Sequence, residues 1–142
     1  MSEDPIITEE TPTRDELIEL YSAVGWTAYT RDADALVKAF AGSALVLTAR
    51  DTGGSLLGLV RTLSDGVTIC YVQDLVVAPV VQRRGVGRAL LSQVLIRYEG
   101  CRQLFLTTDA DGPLDFYRGL GFVPHDELGL VALGRRSVIP PR

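Results

Sequence analysis

The sequence has few of the residues that build metal sites, disulfide frameworks or membrane spans. Two of its 142 residues are cysteines and one is a histidine, and none stands at the spacing of a metal-ligand set or a disulfide framework. No apolar run approaches the roughly 18 residues of a membrane span, and the acidic start lacks the basic and apolar regions of a signal peptide. We therefore expect no metal, no membrane partner and a cytoplasmic location.

Positive charge is also scarce, since acidic residues outnumber lysine and arginine by 18 to 14 and the formal net charge is −4. Broad nucleic-acid binding is therefore not expected, because it requires a basic surface. The hydrophobic content of 46% indicates a folded core. The length predicts one domain over residues 1–142, with a core over about 6–133 and a tail over 134–142.

Two helices are predicted near the amino terminus. Thr13 and Glu16 form a capping box, which predicts a helix that stops at Gly25. Thr30 is predicted to cap a second helix, and the apolar face of that helix would consist of Leu36, Val37 and Phe40.

Strands and further helices follow. Apolar segments bounded by turn residues predict strands over 43–49, 56–63, 67–77 and 102–108, with short strands near 122–123 and 128–133. A helix from Gly85 connects the last two long strands, so that pair should be parallel. Pro113 stands at the predicted first position of a short helix. This order predicts an α+β (mixed α/β) sheet flanked by helices.

Residues 81–90, "VQRRGVGRAL", place three arginines and two glycines at a strand-to-helix junction. The first amides of a helix lack internal partners and attract anions, and glycine allows close backbone approach. The stretch is not a Walker A loop, since it has no lysine, and it lacks the third glycine of the Rossmann fingerprint. The local pattern leaves open a phosphate site or a tight turn with a solvated basic rim.

Three motifs in order resemble the GNAT N-acetyltransferase superfamily. "QRRGVG" (82–87) matches the family's Q/R-x-x-G-x-G/A signature. "YVQDLVVAP" (71–79) is similar to the family's fourth strand, and "DFYRGLGF" (115–122) to its tyrosine-bearing helix and the strand that follows. The resemblance extends from the first helix to about residue 133, and it implies a central mixed sheet with a splayed parallel strand pair.

The resemblance also implies acetyl-CoA as the acetyl donor. Its pantetheine arm would pair with the backbone of Leu75, Val76 and Val77, where the two parallel strands splay apart. An amide at Val76 or Val77 would stabilise the oxyanion. The diphosphate would lie against the loop residues Gln82, Arg83, Arg84, Gly85, Val86, Gly87, Arg88 and Ala89.

Two side chains are candidate catalytic residues by the same resemblance. Tyr117 would protonate or hydrogen-bond the leaving thiolate, and the alternative is a packing role beside Phe116 and Phe122. Asp74 would accept a proton or attract the amine, and the alternative is a structural hydrogen-bonding role.

The predicted acceptor pocket contains Trp26, Gln73 and Asp74. Trp26 would cradle an amine, although it would also suit a hydrophobic core, which is the role we expect of Tyr29.

The resulting prediction is a cytoplasmic N-acetyltransferase that moves an acetyl group from acetyl-CoA to a small-molecule primary amine. A non-catalytic acetyl-CoA sensor is the alternative, and an ATP-binding fold is disfavoured by the absence of a loop lysine. An apolar carboxy-terminal strand would suit a homodimer.

Overall fold

The structure, a computed structural model, describes residues 4–136. Its contacts divide the chain into a larger unit that runs to Leu106 and a smaller unit that begins at Thr107. The single domain predicted from the sequence stays a prediction, and residues 137–142 of the predicted tail lie outside the described residues. No helix in residues 4–136 is long and apolar enough to cross a bilayer.

The larger unit is built on a five-stranded sheet whose strands lie side by side in chain order. All neighbours are antiparallel except the last pair, which is parallel as predicted. The first strand was not predicted, because it has four residues and lies at the sheet edge with only Ile6 and Ile7 to mark it. The strands are β1 (Ile6–Glu9), β2 (Leu45–Arg50), β3 (Leu56–Ser64), β4 (Ile69–Val77) and β5 (Gln103–Leu106).

Helices pack on both faces of this sheet. The helices of the larger unit are α1 (Arg14–Ala23), α2 (Thr27–Thr30), α3 (Ala33–Ala41) and α4 (Val86–Arg97). Leu59 of β3 packs with α1 and α3 in one buried cluster. Its neighbour Gly58 points to the opposite face, where a Cβ would lie 3.3 Å from the Val86 side chain of α4.

The first helices confirm one sequence prediction and correct two. The capping box of Thr13 and Glu16 is present as predicted. Thr30 does not cap α3, because Asp32 lies nearer and its carboxylate accepts from the Ala35 amide at 3.1 Å. Val37 is 39% exposed, since only the i and i+4 residues Leu36 and Phe40 face the core.

The smaller unit corrects the predicted strands near 122–123 and 128–133. Neither segment is a strand in residues 107–136. A 3₁₀ helix spans His125–Leu128, and Gly129 ends it with a φ of 74°, a left-handed conformation that interrupts an extended chain. The short helix α5 (Leu114–Arg118) begins one residue after Pro113, which precedes the helix rather than opening it.

The first prediction concerns Glu16. Its carboxylate accepts hydrogen bonds from the Arg50 guanidinium at N–O distances of 2.6 and 3.0 Å. This pairing lowers the pKa of Glu16 from 4.5 to about 2. Glu16→Gln keeps a residue that can complete the capping box but removes the ion pair, so we expect a loss of about 1 kcal/mol of stability at pH 7. This difference in stability should be present in full above about pH 4.5, and it should vanish as the pH falls through about 2.

Urea unfolding at pH 7 and pH 2.5 measures this difference. The matched control Asp15→Asn removes an acidic charge from the same turn. An equal loss in both variants, or a loss that does not change with pH, would contradict the ion-pair explanation.

Candidate active site

The amino terminus of α4 is open to an anion. Gly85 precedes the helix with a φ of 85°, and no side chain caps the helix. The Gly85 carbonyl accepts from the Ala89 amide at 2.9 Å. The amides of Val86, Gly87 and Arg88 precede that first intrahelical bond, and the first turn carries no acidic residue. The backbone amide donors and the positive end of the helix dipole at this end of α4 are therefore available for a phosphate.

Three arginines stand in the sequence at this helix end. Arg83, Arg84 and Arg88 are exposed, and within the described residues none of them is within ion-pair distance of a carboxylate. Five arginines elsewhere are each paired with an acid, namely Arg14, Arg50, Arg61, Arg97 and Arg118. The guanidinium groups beside α4 are therefore uncommitted and can bind a ligand phosphate.

The preceding turn brings the loop back towards β4. Arg83 is the one non-glycine residue of positive φ in the described chain, at 66°, a conformation that is uncommon without glycine. Gln82 donates from Nε2 to the Val77 carbonyl at 3.1 Å. The turn thus fixes the start of α4 against the end of β4.

One edge of β4 is open over its second half. Its pairing with β5 ends at Val72, opposite Leu106, whereas its pairing with β3 continues to Val77. Beyond Val72, the edge away from β3 has no strand partner in the described part of the chain. The parallel pairing therefore stops before the end of β4, in the strand pair for which the resemblance implies a splay.

The direction of the β4 amides follows from one hydrogen bond. The Ala78 amide donates to the Leu57 carbonyl of the β3 strand at 2.8 Å, and amide directions alternate along a strand. The Val76 amide therefore also points at β3, while the amides of Leu75 and Val77 point to the open edge. Of the two amides predicted for an oxyanion, only Val77 is available, and Val76 is instead a core residue that is 1% exposed.

A β-bulge at Gln73 changes which face of the sheet the following β4 side chains occupy. Arg61 lies opposite Asp74 and Thr62 lies opposite Val72, which leaves Gln73 as an extra residue. Because adjacent β3 residues point to opposite faces, Asp74 and Val72 also do, although they are two residues apart. The bulge therefore directs Asp74 to the face covered by α1 and α3.

Asp74 lies at the centre of a buried polar network. Its carboxylate accepts from Arg61 Nε at 2.7 Å, from the Tyr21 hydroxyl at 2.8 Å and from the Tyr29 hydroxyl at 3.1 Å. The Asp74 side chain has no exposed area, and that of Arg61 is 6% exposed. Such a pair is retained only when its hydrogen bonds are satisfied, and here three donors satisfy the carboxylate.

The ionisation of the neighbouring groups reflects this arrangement. Burial, and then the negative charge of Asp74, raise the pKa of the Tyr21 phenol far above its usual range. Burial works against the charge of Arg61, but the charge and hydrogen bond of Asp74 outweigh it and raise its pKa. The geometry favours the structural alternative for Asp74, and its catalytic role stays a prediction.

The other predicted pocket residues lie beside this network. The Gln73 amide donates to the Tyr29 hydroxyl at 3.4 Å. The ring of Trp26 lies 5.9 Å from that of Tyr21 and 6.0 Å from that of Tyr29, and it packs against the core cluster while half-buried. The structure thus brings Trp26, Gln73 and Asp74 together around Tyr29.

Tyr117 belongs to the smaller unit, on α5. Its half-buried ring makes edge contacts with Phe116 at 5.1 Å and Phe122 at 6.0 Å. The Phe122 amide donates to the Tyr117 carbonyl at 3.0 Å. The aromatic packing that was the alternative to function is therefore present, and the catalytic role of Tyr117 stays a prediction.

The sequence prediction did not identify the partners of Asp74. Arg61 carried the usable signal, because an arginine inside the apolar run "LLGLVRTL" must be paired when buried. Tyr21 and Tyr29 gave no comparable signal, since tyrosines are common in cores.

Comparisons with known proteins agree with this fold. The acetyltransferase (GNAT) domain family matches residues 42–124, more than half of the chain. The chain therefore belongs to the GNAT acetyltransferase family, and its α+β fold, with a mixed five-stranded sheet and flanking helices, is the fold of that family.

Three individual proteins illustrate the similarity. A GNAT family acetyltransferase from Streptococcus pneumoniae superposes with a TM-score of 0.80 at 28% identity, covering 92% of this chain and 96% of that one. An uncharacterized N-acetyltransferase of Gracilaria tenuistipitata is 33% identical over 70 residues, which span 48% of this chain and only 38% of that protein. Glucosamine-6-phosphate N-acetyltransferase from Arabidopsis thaliana shares the fold at 11% identity, with a TM-score of 0.68 over 94% of this chain.

Proposed function

We propose that the chain transfers the acetyl group of acetyl-CoA to a primary amine. The observation that carries this proposal is the open amino terminus of α4, whose uncapped amides lie among three uncommitted arginines. A diphosphate fits this set, because both backbone and guanidinium donors are free for it. The donor would bind through Gln82, Arg83, Arg84, Gly85, Val86, Gly87, Arg88 and Ala89.

The open edge of β4 supports the same donor. The pantetheine arm of CoA carries amide groups, which can pair with a strand edge as a peptide does. Leu75 and Val77 each present an amide and a carbonyl to that edge. Gln82 already uses the Val77 carbonyl, so we assign the Val77 amide to the reacting carbonyl oxygen.

When bound, acetyl-CoA supplies an activated thioester. In the transfer, the amine nitrogen forms a bond to the acetyl carbon, the carbon–sulfur bond breaks, the nitrogen loses a proton and the sulfur gains one. We assign the protonation or hydrogen bonding of the sulfur to the Tyr117 hydroxyl. A phenol near pKa 10 is a weaker acid than a thiol near 8.5, so a hydrogen bond alone can stabilise the leaving thiolate.

The amine must react in its neutral form, since an alkyl amine with a pKa of about 10.4 is largely protonated at pH 7. Asp74 is committed to Arg61, Tyr21 and Tyr29, so we assign it the positioning of β4 rather than the removal of this proton. The proton would leave through solvent water, and the rate should follow the neutral fraction of the amine.

The second prediction tests the donor site by calorimetric titration with acetyl-CoA. Arg84→Ala and Arg88→Ala should each weaken binding by about 1–3 kcal/mol, as expected for a charged hydrogen bond. Arg102→Ala is the matched control, because Arg102 is also exposed and lies outside the loop. Equal affinities in all three variants would place the donor elsewhere.

Gly87→Val tests the backbone contribution at the same site. Gly87 is the second residue of α4, and a branched side chain there should block the approach of a phosphate and abolish the stabilisation that acetyl-CoA gives by linkage. Gly100→Val is the control, because a Cβ at Gly100 meets no atom within 4 Å. An undiminished thermal shift in Gly87→Val would count against the assignment.

A further inference from the structure

A cleft of about 250 Å³ lies in the larger unit, between α1, the start of β3 and the end of β4. Its apolar walls consist of Leu20, Ala23, Leu56 and Ala78. Small-molecule pockets usually measure about 300–1,000 Å³. The cleft is thus large enough for one arm of a ligand rather than for a whole one.

The charge of the cleft comes from two glutamates of α1, and one of them is already paired with an arginine that also pairs with Glu10. Glu16 is held by Arg50 through two hydrogen bonds. Glu19 is exposed, and it makes no hydrogen bond or ion pair among residues 4–136. Within residues 4–136, no lysine or arginine lines the cleft. An apolar cleft with one uncompensated carboxylate favours a cation on an apolar stem.

The cleft also adjoins the proposed donor site. Ala78 follows Val77 directly, and a strand advances about 3.3 Å per residue, so Ala78 lies roughly 10 Å along the chain from Leu75. Leu56 and Ala78 pack against the same core cluster as Trp26, so the cleft and this predicted acceptor residue border one cluster.

We propose that this cleft binds a second, non-reacting ammonium group of the acceptor, which makes the preferred substrate a diamine with an apolar stem. The inference rests on the proposed function. A carboxylate beside the reacting nitrogen would favour its protonated, unreactive form. The Glu19 cleft therefore suits the distal ammonium, and the neutral amine remains free to attack at the open edge of β4.

The binding test uses 1,8-diaminooctane as the probe and 1-octanol as the uncharged analogue. The binding of each compound is measured by ligand-observed NMR. The wild-type chain should bind the diamine at least fivefold more tightly than the alcohol. Glu19→Lys should weaken diamine binding about fivefold, and Glu19→Gln less, in line with exposed ion pairs. Glu99→Lys is the matched control for charge, since Glu99 is exposed and lies outside the cleft.

The kinetic test separates this inference from the proposed function. In Glu19→Lys the KM for 1,8-diaminooctane should rise about fivefold, while kcat and the Kd for acetyl-CoA stay at wild-type values. Equal effects in Glu19→Lys and Glu99→Lys, or equal binding of the diamine and the alcohol, would overturn the proposal. If no amine is acetylated, the proposed function fails, and the NMR titration still decides whether the cleft binds the diamine.

Discussion

Replacing Asp74 with asparagine is expected to lower the free energy of unfolding by about 3–5 kcal/mol, the usual cost of removing one partner of a buried ion pair. Arg61 would keep its charge with only 6% of its side chain exposed. Tyr21 and Tyr29 would lose the anion that accepts their hydroxyl hydrogen bonds. The cost arises mainly from the uncompensated arginine, so removing both charges together should cost less than the sum of the single changes.

Denaturant unfolding of Asp74→Asn, Arg61→Met and the double variant measures this coupling. Glu9→Gln serves as the control, because its pair with Arg97 leaves both side chains more than half exposed and should contribute between about 0 and 1 kcal/mol. A loss in Asp74→Asn as small as that in Glu9→Gln would show that the network does not stabilise the fold.

Tyr117→Phe is expected to slow acetyl transfer by about 10²-fold to 10³-fold, within the range of general-acid contributions. The change removes one hydroxyl and keeps the ring that packs against Phe116 and Phe122, so we expect this aromatic packing to be retained. Since the hydroxyl is assigned to the developing thiolate and not to the bound donor, kcat should fall while the Kd for acetyl-CoA changes little.

Single-turnover kinetics with a good acceptor measure the chemical step. Tyr98→Phe is the matched control. The Tyr98 hydroxyl is hydrogen-bonded to Thr62 Oγ1 at 3.1 Å, and Tyr98 has no assigned role in transfer. Wild-type rates in Tyr117→Phe would remove this hydroxyl from the mechanism.

Local patterns in the sequence were sufficient for most of the larger unit. The capping box of Thr13 and Glu16, the four long apolar segments and the change of period after Gly85 each depend on residues close in the chain. The parallel pairing of β4 and β5 followed from the helix between them. These features are determined by local sequence, and the structure confirms them.

Features that depend on strand register were not predictable in the same way. The bulge at Gln73 decides which face Asp74 occupies, and the hydrogen bond of Ala78 decides that Val77 and not Val76 presents its amide. Neither leaves a pattern in the residue types. The prediction of strands near 122–123 and 128–133 was wrong for a related reason. Apolar residues alone do not reveal whether a partner strand is in reach.

The most direct test of the central claim is acetyl transfer itself, with acetyl-CoA, a panel of primary amines and the wild-type chain. Free CoA thiol is followed by a thiol reagent, and acetylated amine is followed by mass spectrometry. Our account predicts that at least one amine is acetylated with one thiol released per amide formed, and that Gly87→Val abolishes both signals. Saturable acetyl-CoA binding without thiol release or acetylated amine anywhere in the panel would contradict it and favour a non-catalytic sensor.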